Sequence, residues 1–483
     1  MHRRATSNES AEAFLVAPRV APPLDAAFRP AVLARRALAE AVRKSGQGIV
    51  GAVAVEQPDG AVGVADVFLF GPGHPSAAAS HAICERIVKS LLWARGGSRV
   101  WVDGPPELVD HLRRHYLDEA TGRFDAQLMG EVVYGKPFEV VAAPRAEFPG
   151  SKEISTELGR HLDGARIGFD LGASDRKSAA VIDGEVVFSE EVPWDPARHD
   201  DPQWHYDQIM DSLRRAAAHL PRVDAVGGSA AGIYVGSQIR VASLFRSVDS
   251  EVRRRRVAGL FGEMKQAWGG IPFVVVNDGE VTALAGAMFG GVGGLLGLAM
   301  GSSEAAGYVT RAGGLTSWLN ELAFAPIDYA PAAPVDDWSG DRGCGVQYLS
   351  QQAVGRLLGP AGILVEAGLA LPERLRTLQD LMAAGDERAA RVYDTVGTYL
   401  GYALLDYRDF YDFDNVLVLG RVVSGIGGDL ILAGAQRVLA SDDAMDPTLP
   451  GRSLGPITFL TVSERDKRHG QAAAAASLPA LQR

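Results

Sequence analysis

The sequence predicts an α/β fold of two similar lobes preceded by a smaller α/β segment. Three observations predict it. Short apolar, β-branched runs alternate with stretches of helical spacing along most of the 483 residues. Two of those runs, at 167–171 and 296–300, end on small-residue loops and open a similar succession of elements. A third glycine loop, at 420–428, follows a buried run at 415–419.

Taken in order, residues 1–25 are polar and Pro-containing and read as a loose tail. The first residues hold no apolar core long enough for a signal peptide. Helical spacing covers 27–44, a hairpin around Pro-Asp-Gly covers 48–70, and helices at 80–93 and 106–116 flank a strand at 99–102. The stretch 151–165 reads as a linker, polar or helical. Then comes RIGFDLGASDRKSAAVIDGEVVF, 166–188: strand, small-residue loop, strand, Asp-Gly turn, strand. A helix to residue 219, a strand into the loop GGSAAG (227–232), a helix over 250–268 and a strand over 271–276 complete the first lobe. The second runs through the strand 296–300, the loop GSSEAAG (301–307), helices at 350–369, 372–384 and 387–411, the strand 415–419, a helix at 429–439, a strand at 457–462 and an Ala-rich helix at 470–476.

Composition narrows the function. A hydrophobic content of 47% and charged content of 22% fit a soluble globular protein. The net charge of −11 gives no overall electrostatic case for nucleic acid or an anionic membrane. The basic run 253–256 reads as the solvated face of a helix. Two cysteines, Cys84 and Cys344, make no disulfide framework, so a reducing, cytoplasmic setting is expected. The apolar stretch 285–300 is broken by glycines and reads as a helix end, a loop and a buried strand rather than a membrane span.

The chemistry of the loops points to a nucleotide cleft. Backbone N–H groups of small-residue loops can face phosphate oxygens, and an acid at a strand end can hold a hydrated Mg²⁺. Phosphoryl transfer needs such donors, a metal, and a carboxylate that takes the proton of the attacking hydroxyl. Asp278, at the end of a buried strand, is the candidate base; the competing reading is an Asp that caps the helix after it.

At these residues the chain resembles the ROK family (repressor, open reading frame, kinase) of sugar kinases, over about residues 166–478. FDLGASDRK is similar to the first phosphate motif, DxGGTxxK, and VVVNDGEVTALAGA to VxNDxNxxALGE, which carries the catalytic aspartate. LAMGSSEAAGYV stands at the second phosphate motif, WLNELAF at the sugar-binding GExGH, GDRGCGVQYLS at the zinc-binding cysteines, and VLVLGRVVSGIGG at the adenosine motif.

The resemblance implies an actin-like ATPase fold with two RNase H-like lobes around a cleft, plus an N-terminal α/β domain. Its divisions would be 1–150, a linker 151–165, a first lobe 166–291 and a second lobe 292–464. The C-terminal helix, 465–483, would pack back on the first lobe. It implies an ATP- and Mg²⁺-dependent kinase acting on a hydroxyl of a sugar or cyclitol, as a homodimer, with Asp278 as general base. Asn277, Glu321, Gly228 and Arg246 would bind substrate. Asp170 would hold Mg²⁺ through water. Gly172, Ser174, Lys177, Gly301, Ser302 and Ser303 would line the phosphates, and Gly420, Gly425 and Gly427 the adenosine.

The departures are specific. The zinc-binding histidine falls on Phe324 and one cysteine remains, Cys344, so no zinc site is expected. A second sugar-binding glutamate falls on Val346. Glu304 puts a carboxylate beside the phosphate loop; either Mg²⁺ bridges it, or it points away, or ATP does not bind in the usual way. The alternative function is therefore a non-catalytic member that binds a sugar or metabolite as a sensor or scaffold. Residues 1–150 show no basic recognition helix, which argues against DNA binding. That segment would cover the cleft, dimerise the chain or bind something of its own.

Overall fold

The structure, a computed structural model, describes residues 12–153, 155–156, 159–441, 443, 456–461 and 464–481. Three larger sheets, of four, five and six strands, carry the architecture. In the first, helix α1 (Ala31–Ser45) precedes the antiparallel pair β1 (Gly48–Glu56) and β2 (Val62–Phe70). Helix α2 (Ala77–Arg95), β3 (Arg99–Asp103), helices α3 (Pro106–Asp118) and α4 (Ala120–Gln127), a π-helical turn (Leu128–Tyr134) and β4 (Glu139–Ala142) follow. The strand order is β2-β1-β3-β4. The stretch expected to be a linker is stitched in on both sides: Lys152 bridges to Val62, and β5 (Ser155–Thr156) pairs with the distant sheet of six.

The five-stranded sheet opens with an antiparallel meander, β6 (Ala165–Leu171), β7 (Asp175–Ile182) and β8 (Glu185–Pro193). Its Asp183-Gly184 turn has φ of 47° and 86°, the pair of positive angles a tight hairpin needs. After helix α5 (Pro202–Ala217), β9 (Ala225–Ala230) joins β6 in parallel. A small hairpin, β10 (Ile233–Val235) and β11 (Gln238–Val241), and helix α6 (Leu260–Ala267) lead to β12 (Phe273–Asn277), parallel to β9.

Helix α7 (Asp278–Gly290) crosses to the six-stranded sheet, which repeats the plan. There β13 (Leu295–Met300), β14 (Glu304–Val309) and β15 (Leu315–Thr316) form the meander. Helices α8 (Gln351–Leu357), α9 (Leu371–Ala383) and α10 (Glu387–Tyr407) intervene before β16 (Asn415–Leu419); helix α11 (Ile426–Leu439) leads to β17 (Thr458–Leu460), and β16 and β17 add in parallel. The orders β8-β7-β6-β9-β12 and β15-β14-β13-β16-β17 are the same topology. The chain has two RNase H-like lobes in the actin-like ATPase arrangement, with an α/β domain in front.

Helix α12 (Glu464–Ala476) returns to the first lobe and lies on β6, β7 and β9. Its alanines sit where no side chain leaves the sheet: the Cβ positions of Gly168 and Gly227 are taken by the Ala472 and Ala475 carbonyl oxygens. The N-terminal sheet and the second lobe share one hydrophobic core, while the first lobe has its own. Buried ion pairs reinforce that union. Lys89, wholly buried, lies 2.8 Å from Asp125 and 2.9 Å from Asp341, and Arg35 lies 2.6 Å from both Asp406 and Asp409.

Several expectations are corrected. Residues 1–11 of the expected tail lie outside the described residues; the part from Glu12 on is docked, with Phe14 stacked on Phe70, Val20 N–H donating to Tyr402 Oη and Leu24 N–H to Thr395 Oγ1, each at 3.2 Å. The helix expected over 250–268 is broken by a π-helical turn at Arg253–Val257 and by Gly259. Most of the expected loop GGSAAG is strand β9, because its glycines serve packing. The helix expected over 350–369 ends at Leu357, before Gly359, Pro360 and Gly362. Residues 304–307 of the GSSEAAG loop belong to β14.

Candidate active site

Parallel strands bring their C-terminal ends to one edge. In the first lobe the register sets Asp170 beside Ser229 and Ala230 beside Asn277. In the second it sets Ala299 beside Leu419, so the Gly301–Ser303 turn and Gly420 leave the sheet together. Helix α7 joins these edges. Gly279 and Gly307 touch backbone to backbone, and a Cβ on either would strike the other segment. That contact seats the start of α7 against β14.

Asp170 is 6% exposed. Its Oδ1 accepts from Ser229 Oγ at 2.7 Å, and its Oδ2 lies 3.7 Å from Lys177 Nζ. Burial raises its pKa, against the pull of Lys177. Lys177 also lies 3.5 Å from Asp175. The loop between is a tight turn: Gly172 N–H donates to the Asp175 carbonyl at 2.9 Å, and the exposed Ser174 donates to the Asp175 carboxylate. The opposite turn has the same form, with Gly301 N–H donating to Ser303 O at 2.9 Å and Ser302 and Ser303 exposed.

Asn277, not Asp278, caps α7: its Oδ1 accepts from Gly279 N–H at 2.7 Å, while its Nδ2 donates to Gly232 O at 2.7 Å. The amide expected to bind substrate is thus engaged within the protein. The Asp278 carboxylate is half-buried at the first position of the helix. Burial, and then the neighbouring Asp170, raise its pKa to about 6. Glu280, one residue beyond, is pushed up to about 8 by burial. It occupies the second Asn of the VxNDxNxxALGE pattern, a departure that the motif itself could have flagged. Glu321 is raised to about 8 by burial and then by Asp278, Glu280 and Glu304. Four carboxyl groups, Asp278, Glu280, Glu304 and Glu321, therefore lie close enough to act on one another.

Glu304 resolves the question its sequence posed. It points away from the turn into the second lobe, 2% exposed, where Tyr407 Oη donates to it at 2.9 Å. Its other oxygen has no hydrogen-bond partner, and burial raises its pKa to about 8.

The loop carrying Glu321 is held by the N-terminal domain. The last carbonyls of α2 lack helical partners. Those of Trp93, Ala94 and Arg95 accept the N–H groups of Glu321, Asn320 and Leu319 at 3.0, 3.1 and 3.1 Å. This holds Asn320 at a φ of 55°, while Tyr411 Oη bonds both Ala94 O and Asn320 Oδ1. Arg95 lies over the Trp318 ring at 3.1 Å, and that ring stacks on Tyr308. Phe324 packs against Trp93 and Trp338, and Cys344 is buried with its thiol pushed up to about 12. These residues do not suit zinc, and no group of three or more His, Cys, Asp or Glu among the described residues is placed to hold a metal ion.

A cavity of about 570 Å³ opens between α7, β16 and α12, lined by Thr282, Phe289, Leu419, Gly420, Arg421 and Gly425 among others. A second, of about 330 Å³, adjoins it through Ser424 and Gly425. Both lie in the size range of small-molecule sites. Of the three expected adenosine glycines, Gly425 opens on free space, at a φ of 72°. Gly420 is required by the Met300 backbone beside it and Gly427 by the Tyr393 ring. Gly228 is likewise a packing residue, its Cβ position filled by the Phe169 ring, so it does not face the cleft. Arg246 is exposed just after the short helical turn Ser243–Phe245. Reasoning from sequence missed Phe289 and Tyr134, which occupy no motif, and Arg421, which lies inside the VLVLGRVVSGIGG stretch but at none of its glycines.

No protein-family model matches the sequence, and no curated protein matches it. Solved structures do. The chain is similar to a ROK hexokinase from Thermus thermophilus, at 19% identity and a TM-score of 0.50, over 65% of this chain and 97% of that one. It is also similar to a ROK family transcriptional regulator, a homologue of the E. coli MLC protein, at 19% identity and a TM-score of 0.52, over 66% of this chain and 78% of that one.

Proposed function

We propose that this chain, whose two lobes have the ROK fold, is an ATP-dependent kinase for a hydroxyl of a sugar or a sugar-like cyclitol. The observation that carries the reading is Asp278. It ends β12, its pKa is raised to about 6 by burial and Asp170, and α7 connects it to the wall of a 570 Å³ cavity. A carboxylate with that pKa is ionised at neutral pH yet basic enough to take a proton.

In this reading the nucleotide lies along Gly420–Gly425, with its phosphates toward the Gly172–Ser174 and Gly301–Ser303 turns. Asp170, steadied by Ser229 and Lys177, would hold a hydrated Mg²⁺, which supplies charge neutralisation at the phosphates. Asp278 orients the acceptor hydroxyl and receives its proton. Glu321 and Glu280, both neutral carboxylic acids near pH 7, can donate as well as accept hydrogen bonds to acceptor hydroxyls. The neutral Glu304 removes the electrostatic objection to a triphosphate at the second turn. A homodimer in the cytoplasm remains part of the proposal.

A second reading, a binder without turnover, is favoured by the amide of Asn277, whose two ends are already hydrogen-bonded within the protein. One experiment separates them. Coupled ADP release with Mg-ATP and a panel of sugars and cyclitols is measured for the wild type and Asp278→Asn. The kinase reading expects Asp278→Asn to keep nucleotide binding and lose about 10²–10⁴ in turnover. Equal rates refute Asp278 as the base, and nucleotide binding with no turnover on any acceptor favours the binder.

A further inference from the structure

We propose that Tyr134, from the N-terminal domain, is a specificity-determining residue of the acceptor pocket and limits the acceptor's size. This rests on the reading of the cleft as an acceptor site. Tyr134 ends the π-helical turn Leu128–Tyr134 and lines a cavity with Gly232 and Tyr234 of the first lobe, Asn277 and Glu280 at the cap of α7, and Trp318 of the second. All three parts of the protein meet there.

The ring is held at both ends. Its hydroxyl stands where Gly96, at a φ of 77°, would carry a Cβ, so the glycine makes room for the phenol. The turn that bears it packs on the β10–β11 hairpin of the first lobe. The N-terminal domain cannot yield on its other side. It is tied to the second lobe by the α2 carbonyls on residues 319–321 and by the pairs of Lys89 and Arg86 with Asp341.

The enclosed volume is about 20 Å³. That is room for a few waters at most, too little for a sugar. An acceptor must enter by parting Tyr134 from the β10–β11 hairpin, and the phenol then remains as a wall on the second-lobe side. Small polyols fit beside it more readily than six-membered rings.

The test titrates the full-length wild type, Tyr134→Ala and Tyr134→Leu with glycerol, erythritol, xylitol, glucose and myo-inositol by calorimetry, without nucleotide. The expected result is a gain of tenfold or more in affinity for glucose or myo-inositol on Tyr134→Ala, with glycerol and erythritol within twofold. Tyr134→Leu, which keeps apolar packing in the turn, moves the same way by less. Parallel profiles for wild type and both variants, whether every polyol binds or none does, overturn the proposal. Mg-ATP titration of the same proteins reports on the separate nucleotide cavity. Failure there overturns the kinase reading while the size comparison stands or falls by itself.

Discussion

Replacing Glu304 by Gln tests the electrostatics at their sharpest point. The carboxyl is 2% exposed, one oxygen lacks any partner, and its pKa is raised from 4.5 to about 8 by burial. A carboxyl that binds its proton more tightly when folded supports the fold fully below its ordinary pKa. That support is lost as pH rises through about 8. At about 1.36 kcal/mol per pH unit, the loss by pH 9 is on the order of 5 kcal/mol. Gln keeps the size and the acceptor for Tyr407 but carries no titrating proton. The thermal midpoint of Glu304→Gln therefore pulls ahead of the wild type between pH 5 and 8 and stays ahead by a constant margin above. A kilocalorie per mole shifts the midpoint by on the order of a few degrees, so scanning calorimetry or fluorescence at several pH values resolves it. Mg-ATP affinity at pH 7 stays within about twofold, since the native group is already mostly neutral. A difference between the two proteins that does not vary from pH 5 to 9 refutes the reasoning. So does a large gain in nucleotide affinity, which would mean the native carboxylate is charged and close to the phosphates.

Two further outcomes follow from the same geometry. Turnover should rise with pH through about 6 as Asp278 loses its proton; a pH–rate profile whose acidic limb lies below 5 removes Asp278 from the role of base. Lys89→Met leaves Asp125 without its cation, while Asp341 keeps Arg86 at 2.7 Å; an uncompensated buried carboxylate costs about 3–5 kcal/mol, read as a fall in the denaturation midpoint, and no change would mean that water already reaches it.

The lobes were legible because each begins with a meander whose alternation and turns are local: Asp183-Gly184 states its own φ angles. Asp170, Asp278 and Glu321 were legible because motif spacing carries them. The glycines were less so. Gly228, Gly420 and Gly427 read as ligand-facing in one dimension, but only tertiary contact with Phe169, Met300 and Tyr393 reveals why side chains are missing there. Glu304 could be written as a threat to phosphate binding only while its strand was taken for a loop. A strand alternates its side chains, and this one sends Glu304 to Tyr407. Nor could spacing reveal that α2, more than 220 residues earlier, supplies the carbonyls for the loop at Glu321.

The alanine helix at Glu464–Ala476 has a consequence for assembly. The grooves over Gly168 and Gly227 that receive it are made early in synthesis, whereas the helix itself emerges only after the whole second lobe. Until then one face of the first sheet is bare. That face stays uncovered until residues 464–476 have been made, so the first lobe is completed by a segment encoded after the second.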